Sequence, residues 1–117
     1  MKKKDLKSQN YLERIPMRPE HIAWSWDEKG IVTLDIENRG FFNRLAQLLF
    51  KKPKVSHIHL DKMGSFIWPL MDGNKDIVAL GVLVKEHFGD DAEPLYERLA
   101  KFFQILDSYS FVTWNKE

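Results

Sequence analysis

The chain has 117 residues, 44% hydrophobic and 13% aromatic, which is enough apolar matter for one buried core and far from a disordered composition. Eighteen basic and seventeen acidic residues leave a formal charge of +1, weak for a dedicated nucleic-acid binder, and no apolar run nears the ~20 residues that span a bilayer. The absence of cysteine excludes thiol nucleophiles, cysteine-ligated zinc or iron–sulfur centres and a disulfide scaffold, and agrees with a reducing compartment such as the cytoplasm.

Residues 1–15 read as a flexible basic and polar tail ahead of a single domain over 16–117. Ser8, Gln9, Asn10 and Glu13 stand where a signal peptide would need an apolar stretch. Pro16 and Pro19 predict an extended lead-in. Ile22, Trp24 and Trp26 alternate with Ala23, Ser25 and Asp27, and Val32, Leu34 and Ile36 alternate with Ile31, Thr33 and Asp35, predicting two strands. Between them Asp27-Glu28-Lys29-Gly30 supplies a glycine for the positive φ that a tight hairpin needs.

Helical spacing follows over 41–52, with Phe41, Leu45 and Leu48 on one stripe, Phe42, Ala46 and Leu49 beside it, and Pro53 as the stop. Residues 55–60 return to alternation as a third strand, Ile58 and Leu60 facing one way and Val55, His57 and His59 the other. Asp61 is a candidate N-cap for a helix with Met63, Phe66, Ile67, Leu70 and Met71 at helical spacing, and Pro69 inside that pattern predicts a kink or a later start. Asp72-Gly73-Asn74 is a turn, and Asp76 caps a helix over 77–88 that is apolar on most sides and therefore expected to be central. Gly81 within it predicts close approach of a neighbour. Gly89 ends it, and Pro94 suits the first turn of a helix burying Leu95, Leu99, Phe102, Phe103 and Leu106. Phe111, Val112 and Trp114 predict a short closing strand. The expected architecture is α+β, winged helix-turn-helix-like: an antiparallel sheet of about three strands on a three-helix bundle, with one additional helix before the third strand.

Charge is uneven along the chain. Residues 1–60 hold 12 basic and 7 acidic side chains, and residues 61–117 hold 6 and 10. Between Glu37 and Asp61 there is no carboxylate, while Arg39, Arg44, Lys51, Lys52 and Lys54 all fall there. Such a run is either a solvated face with lysines at a helix C-terminus or a basic rim for an acidic partner.

Few motifs carry chemistry. His57-Ile58-His59-Leu60-Asp61 would place His57, His59 and Asp61 on one strand face, as a His-x-His ligand pair requires, but no third ligand stands at a telling distance, so no metal is assigned. Paired carboxylates, a Ser-His-Asp set and a Gly-rich phosphate loop are all missing from the pattern, so neither a cofactor nor an enzymatic activity is expected. Trp24, Trp26, Trp68 and Trp114 could stack bases, but aromatics at core spacing read first as core. Trp24 and Trp26 share a face and should share a fate.

From His57 onward the string HIHLDKMGSFIWPLMDGNKDIVALGVLVKEHFG resembles the PqqD-like family. Leu60, Asp61, Gly64, Ile67, Trp68, Leu70, Asp72, Gly73, Ile77 and Phe88 match the family's order, and Leu-Tyr-x-x-Leu at 95–99 continues in its manner. The resemblance implies a winged-helix scaffold that recognises the leader of a ribosomally made precursor peptide and presents it to a modifying enzyme, typically a radical-SAM partner. The leader would add as a strand along the third strand, at Val55, Ser56, His57, Ile58 and His59, and pack beside the helix carrying Leu95, Leu99 and Phe102. Lys51, Lys52 and Lys54 would form the electrostatic rim. A helix over 41–52 departs from the minimal family module and would block or remodel that edge if it covered it. The alternative is a DNA-binding winged helix, disfavoured because the would-be reading helix carries Arg98 and Lys101 against Glu97 and Asp107. Neither oligomeric state nor the pathway served follows from the residues.

Overall fold

A computed structural model describes residues 11–37 and 55–115; the helix expected over 41–52 and the rim lysines Lys51, Lys52 and Lys54 lie outside the described residues. Of the described residues, 20–37 and 55–65 form one compact unit, and 11–19 with 66–115 form the other. The protein is α+β, with helices and two small antiparallel sheets. Among the described residues no helix is long and apolar enough to cross a membrane.

The first unit is built on a three-stranded sheet of order β2-β3-β4, from β2 (Ala23–Trp26), β3 (Val32–Glu37) and β4 (Val55–His59). The hairpin forms where alternation predicts it. Asp27 accepts from the amides of Lys29 and Ile31 at 2.8 and 3.0 Å, and Gly30 takes φ +82°, a conformation costly for a residue with a Cβ. Register pairs Trp24 with Leu34 and Leu34 with Ile58, and Ser25 with Thr33 and Thr33 with His59. Period-two geometry therefore gives a face of Trp24, Trp26, Val32, Leu34 and Ile58 and an opposite face of Ser25, Thr33, Asp35, His57 and His59. Val32 and Leu34 are fully buried. Trp24 and Trp26 share their face, with ring centroids 5.2 Å apart, but not their burial. Trp24 is half-buried and Trp26 is 59% exposed, because it stands at the turn end of an outer strand.

A side chain completes the β3–β4 ladder. The Val32 amide donates to Ser65 Oγ at 2.8 Å, and that hydroxyl donates to the Leu60 carbonyl at 3.3 Å. Ser65 is buried, held there by α1 (Lys62–Ile67). Asp61 caps this helix as expected, accepting from the Gly64 amide at 2.8 Å. Pro69 neither kinks nor delays it: α1 stops at Ile67 and passes into a 3-10 turn, Trp68–Leu70, where the missing proline N–H interrupts no α-helical ladder.

The second unit holds α2 (Ile77–Phe88), α3 (Leu95–Ser108) and a two-stranded sheet of β1 (Ile15–Met17) with β5 (Thr113–Asn115). Asp76 caps α2 through the Ala79 amide at 2.8 Å. A Cβ on Gly81 would lie 3.0 Å from Leu99 Cδ1 and 3.3 Å from Tyr96 Cε1, so the glycine is what brings α2 and α3 together. α2 is less enclosed than its apolar sequence suggests: Ile77, Leu80 and Val84 are buried, but Val78 and Val82 are 38% and 50% exposed. Leu99 and Phe103 are fully buried, and Phe102 is half-buried. Residues 11–13 make a helical turn and Ile15 opens β1, so ordered structure begins inside the stretch read from sequence as tail. Tyr11 meets Trp114 edge-on at 6.0 Å, and the Arg14 guanidinium lies 4.8 Å from the Trp114 ring centroid.

Candidate functional site

The edge of β4 is the feature that the sequence points to and the sheet displays. Leu60 donates its amide to the Val32 carbonyl at 2.8 Å. In an antiparallel ladder successive residues turn their backbone groups alternately to one neighbour and the other, so Ile58 is directed to β3 like Leu60. The N–H and C=O groups of Val55, His57 and His59 therefore point away from β3. Among the described residues no strand pairs with that side of β4.

On the exposed face beside this edge, two histidines are anchored across the strands. His57 Nδ1 lies 2.7 Å from Asp35 Oδ1, and His59 Nδ1 lies 2.8 Å from Thr33 Oγ1. Each pair is directly cross-strand in register, the arrangement in which side chains reach each other best. Solvent exposure of 64% at His57 and 35% at Asp35 holds that pair's worth to under about 1 kcal/mol, so it orients the ring more than it stabilises the sheet. The Asp27 carboxyl is held below the usual carboxylate range, chiefly by the Ile31 amide, then by Lys29 and in smaller part by His59. Among the described residues no group of three or more His, Asp or Glu side chains could hold a metal ion.

The other residues expected at the site lie in the second unit. Leu95 and Leu99 are buried and pack at Gly81, leaving Phe102, half-buried, as the one of the three with surface to offer. Of the two basic residues on α3 that could touch phosphate, Arg98 donates to the Asp91 carbonyl at 2.6 Å, which further weakens the DNA-reading alternative. Sequence reasoning missed Asp35 and Thr33 as partners of the histidines. Their i, i+2 spacing was visible, but pairing them with 57 and 59 required the register.

Residues 30–112 match the family model described as coenzyme PQQ synthesis protein D. The chain belongs to the PqqD family. The match takes in β3, β4 and the helices α1, α2 and α3, and leaves out β1, β2 and β5. PqqD proteins are non-catalytic accessory proteins of coenzyme PQQ synthesis. Neither the curated proteins nor the solved structures compared with the chain gave a match.

Proposed function

We propose that this PqqD-family protein is a non-catalytic recognition module that holds the leader segment of a ribosomally made precursor peptide for a modifying enzyme, a radical-SAM partner in the first instance, in the cytoplasm. Residues 16–117 act in this reading as one winged-helix module. The observation that carries it is the outer side of β4, where the backbone groups of Val55, His57 and His59 face away from β3. An extended peptide satisfies those groups by adding as a further strand, gaining main-chain hydrogen bonds while alternate side chains are read on each face. Lys51, Lys52 and Lys54 draw acidic residues of the leader toward the edge.

Titration of the labelled full chain with candidate leader peptides tests this through the amide resonances of residues 55–59, which shift on strand addition. A Val55→Pro variant removes one outward amide at the first residue of β4 and leaves both histidines in place, a position where strands tolerate proline. It should weaken binding about tenfold or more while the resonances of β2 and β3 stay folded. Unchanged affinity in that variant, or no shift at β4 with any leader, sinks the reading.

A further inference from the structure

The two histidines on the exposed face of β4 are held in one orientation. His57 and His59 are two residues apart and stand side by side. Each turns Nδ1 inward to β3, to Asp35 at 2.7 Å and Thr33 at 2.8 Å. The two nitrogens of an imidazole point in nearly opposite directions, so each Nε2 is directed away from β3, over the position that side chains of an added strand would occupy.

Hydrogen-bond chemistry then differs between the two. The Asp35 carboxylate only accepts, so His57 Nδ1 carries a proton, and Nε2 accepts in the neutral ring but donates in the imidazolium. The Thr33 hydroxyl can donate to His59 Nδ1, which leaves His59 Nε2–H a donor without any charge. Among the described residues, the charged groups that the strands place on this face are Asp35 and Glu37 from β3 and Asp27, which senses His59; β2 contributes the non-ionisable Ala23 and Ser25. Residues 38–60 contain no carboxylate, so the stretch leading into β4 adds nothing that would repel an acidic ligand.

Resting on the strand-addition reading, we propose that His57 and His59 select an extended peptide carrying carboxylate side chains at two alternate positions, with an apolar residue between them on the face of Ile58. A carboxylate over His59 accepts from Nε2–H directly. A carboxylate over His57 is held by the imidazolium, which bridges it to Asp35. Protonation also neutralises Asp35, whose negative charge would otherwise oppose the ligand. The pair therefore supplies specificity through two directed Nε2 donors, set against the carboxylates of Asp27, Asp35 and Glu37 on the same face, more than bulk affinity.

The test uses the full chain, labelled for amide resonances, and three synthetic peptides that alternate valine with glutamate, glutamine or lysine. Shifts at residues 55–59 report occupancy of the edge. The preference for the glutamate peptide over the glutamine peptide should be about tenfold, with the lysine peptide weaker than the glutamate one. It should vanish in the His57→Gln/His59→Gln double variant, whose exposed positions leave the sheet intact as judged by β2 and β3 resonances. Equal affinities for all three peptides, or a glutamate preference that survives in the double variant, overturns the selectivity while strand addition stands. If no peptide shifts β4, strand addition itself fails and takes the selectivity with it; that is also the result if the chain's own residues 38–54 occupy the edge.

Discussion

Trp68, the tryptophan of the family pattern, is fully buried, and among the described residues its indole N–H has no hydrogen-bond partner. It is a packing residue, retaining bulk at a cost of about 1–3 kcal/mol for the unmatched donor. Asp-Gly at 72–73 has an equally physical explanation. Gly73 takes φ +84°, and a Cβ there would lie 2.8 Å from Met17 Sδ, so Gly73→Ala should lower stability by roughly 1–3 kcal/mol in urea unfolding. Exposed carboxylates, Asp27 among them, set an acid limit. The Asp72 carboxyl is lowered first by Lys75, 2.9 Å away, and then by the Asn74 amide, and Glu93 is lowered first by Lys85 at 2.6 Å and then by the Leu95 amide. Groups whose folded values lie below their unfolded ones contribute stability above the ordinary carboxylate range and lose it as pH falls through the depressed folded values. Urea midpoints should accordingly fall from about pH 5 downward, and Asp72→Asn should flatten that decline.

At the scale of elements, the alternating patterns of β2, β3 and β4 and the caps at Asp61 and Asp76 were legible because each is a local rule, period two or a side chain reaching an amide three residues on. What periodicity could not show was where one element leans on another. Ser65 reads as an ordinary polar residue in a helix, yet it joins Val32 to Leu60 across the sheet end. Ser65→Ala should leave both groups without that partner and lower stability by about 1–3 kcal/mol in chemical denaturation, more than an exposed serine would. Gly81 was readable as a close-contact site, and the distances to Leu99 and Tyr96 confirm it. Gly81→Val should overpack the α2–α3 contact and cost roughly 1–3 kcal/mol in thermal unfolding. Burial of single residues was harder to read: α2 looks apolar all round, but Val78 and Val82 face solvent.

On the whole chain, β1 and β5 lie outside the family match and pair with each other. Ile15 stands opposite Asn115, and Asn115 Nδ2 donates to the Gly73 carbonyl at 2.7 Å. Trp114 adds aromatic contacts to Tyr11 and Phe103. A chain ending at Val112 should lose these together and become less stable by roughly 2 kcal/mol or more, measured as a lowered urea midpoint. Because β4 takes no part in this pairing, the truncated chain should still bind peptide at residues 55–59 under conditions where it remains folded, which amide titration would show.

By itself the sequence determined the family, the hairpin, the third strand, the two long helices and the caps at Asp61 and Asp76, because those rest on repeats and spacings within a few residues. Only the tertiary structure decided that residues 15–17 are a strand, that Ser65 closes a ladder, that Phe102 keeps surface beside the buried Leu95 and Leu99, and that His57 and His59 are aimed by Asp35 and Thr33. Each of these depends on which distant residues come to lie opposite one another. Register and packing partners arise from the fold as a whole, and no local period encodes them.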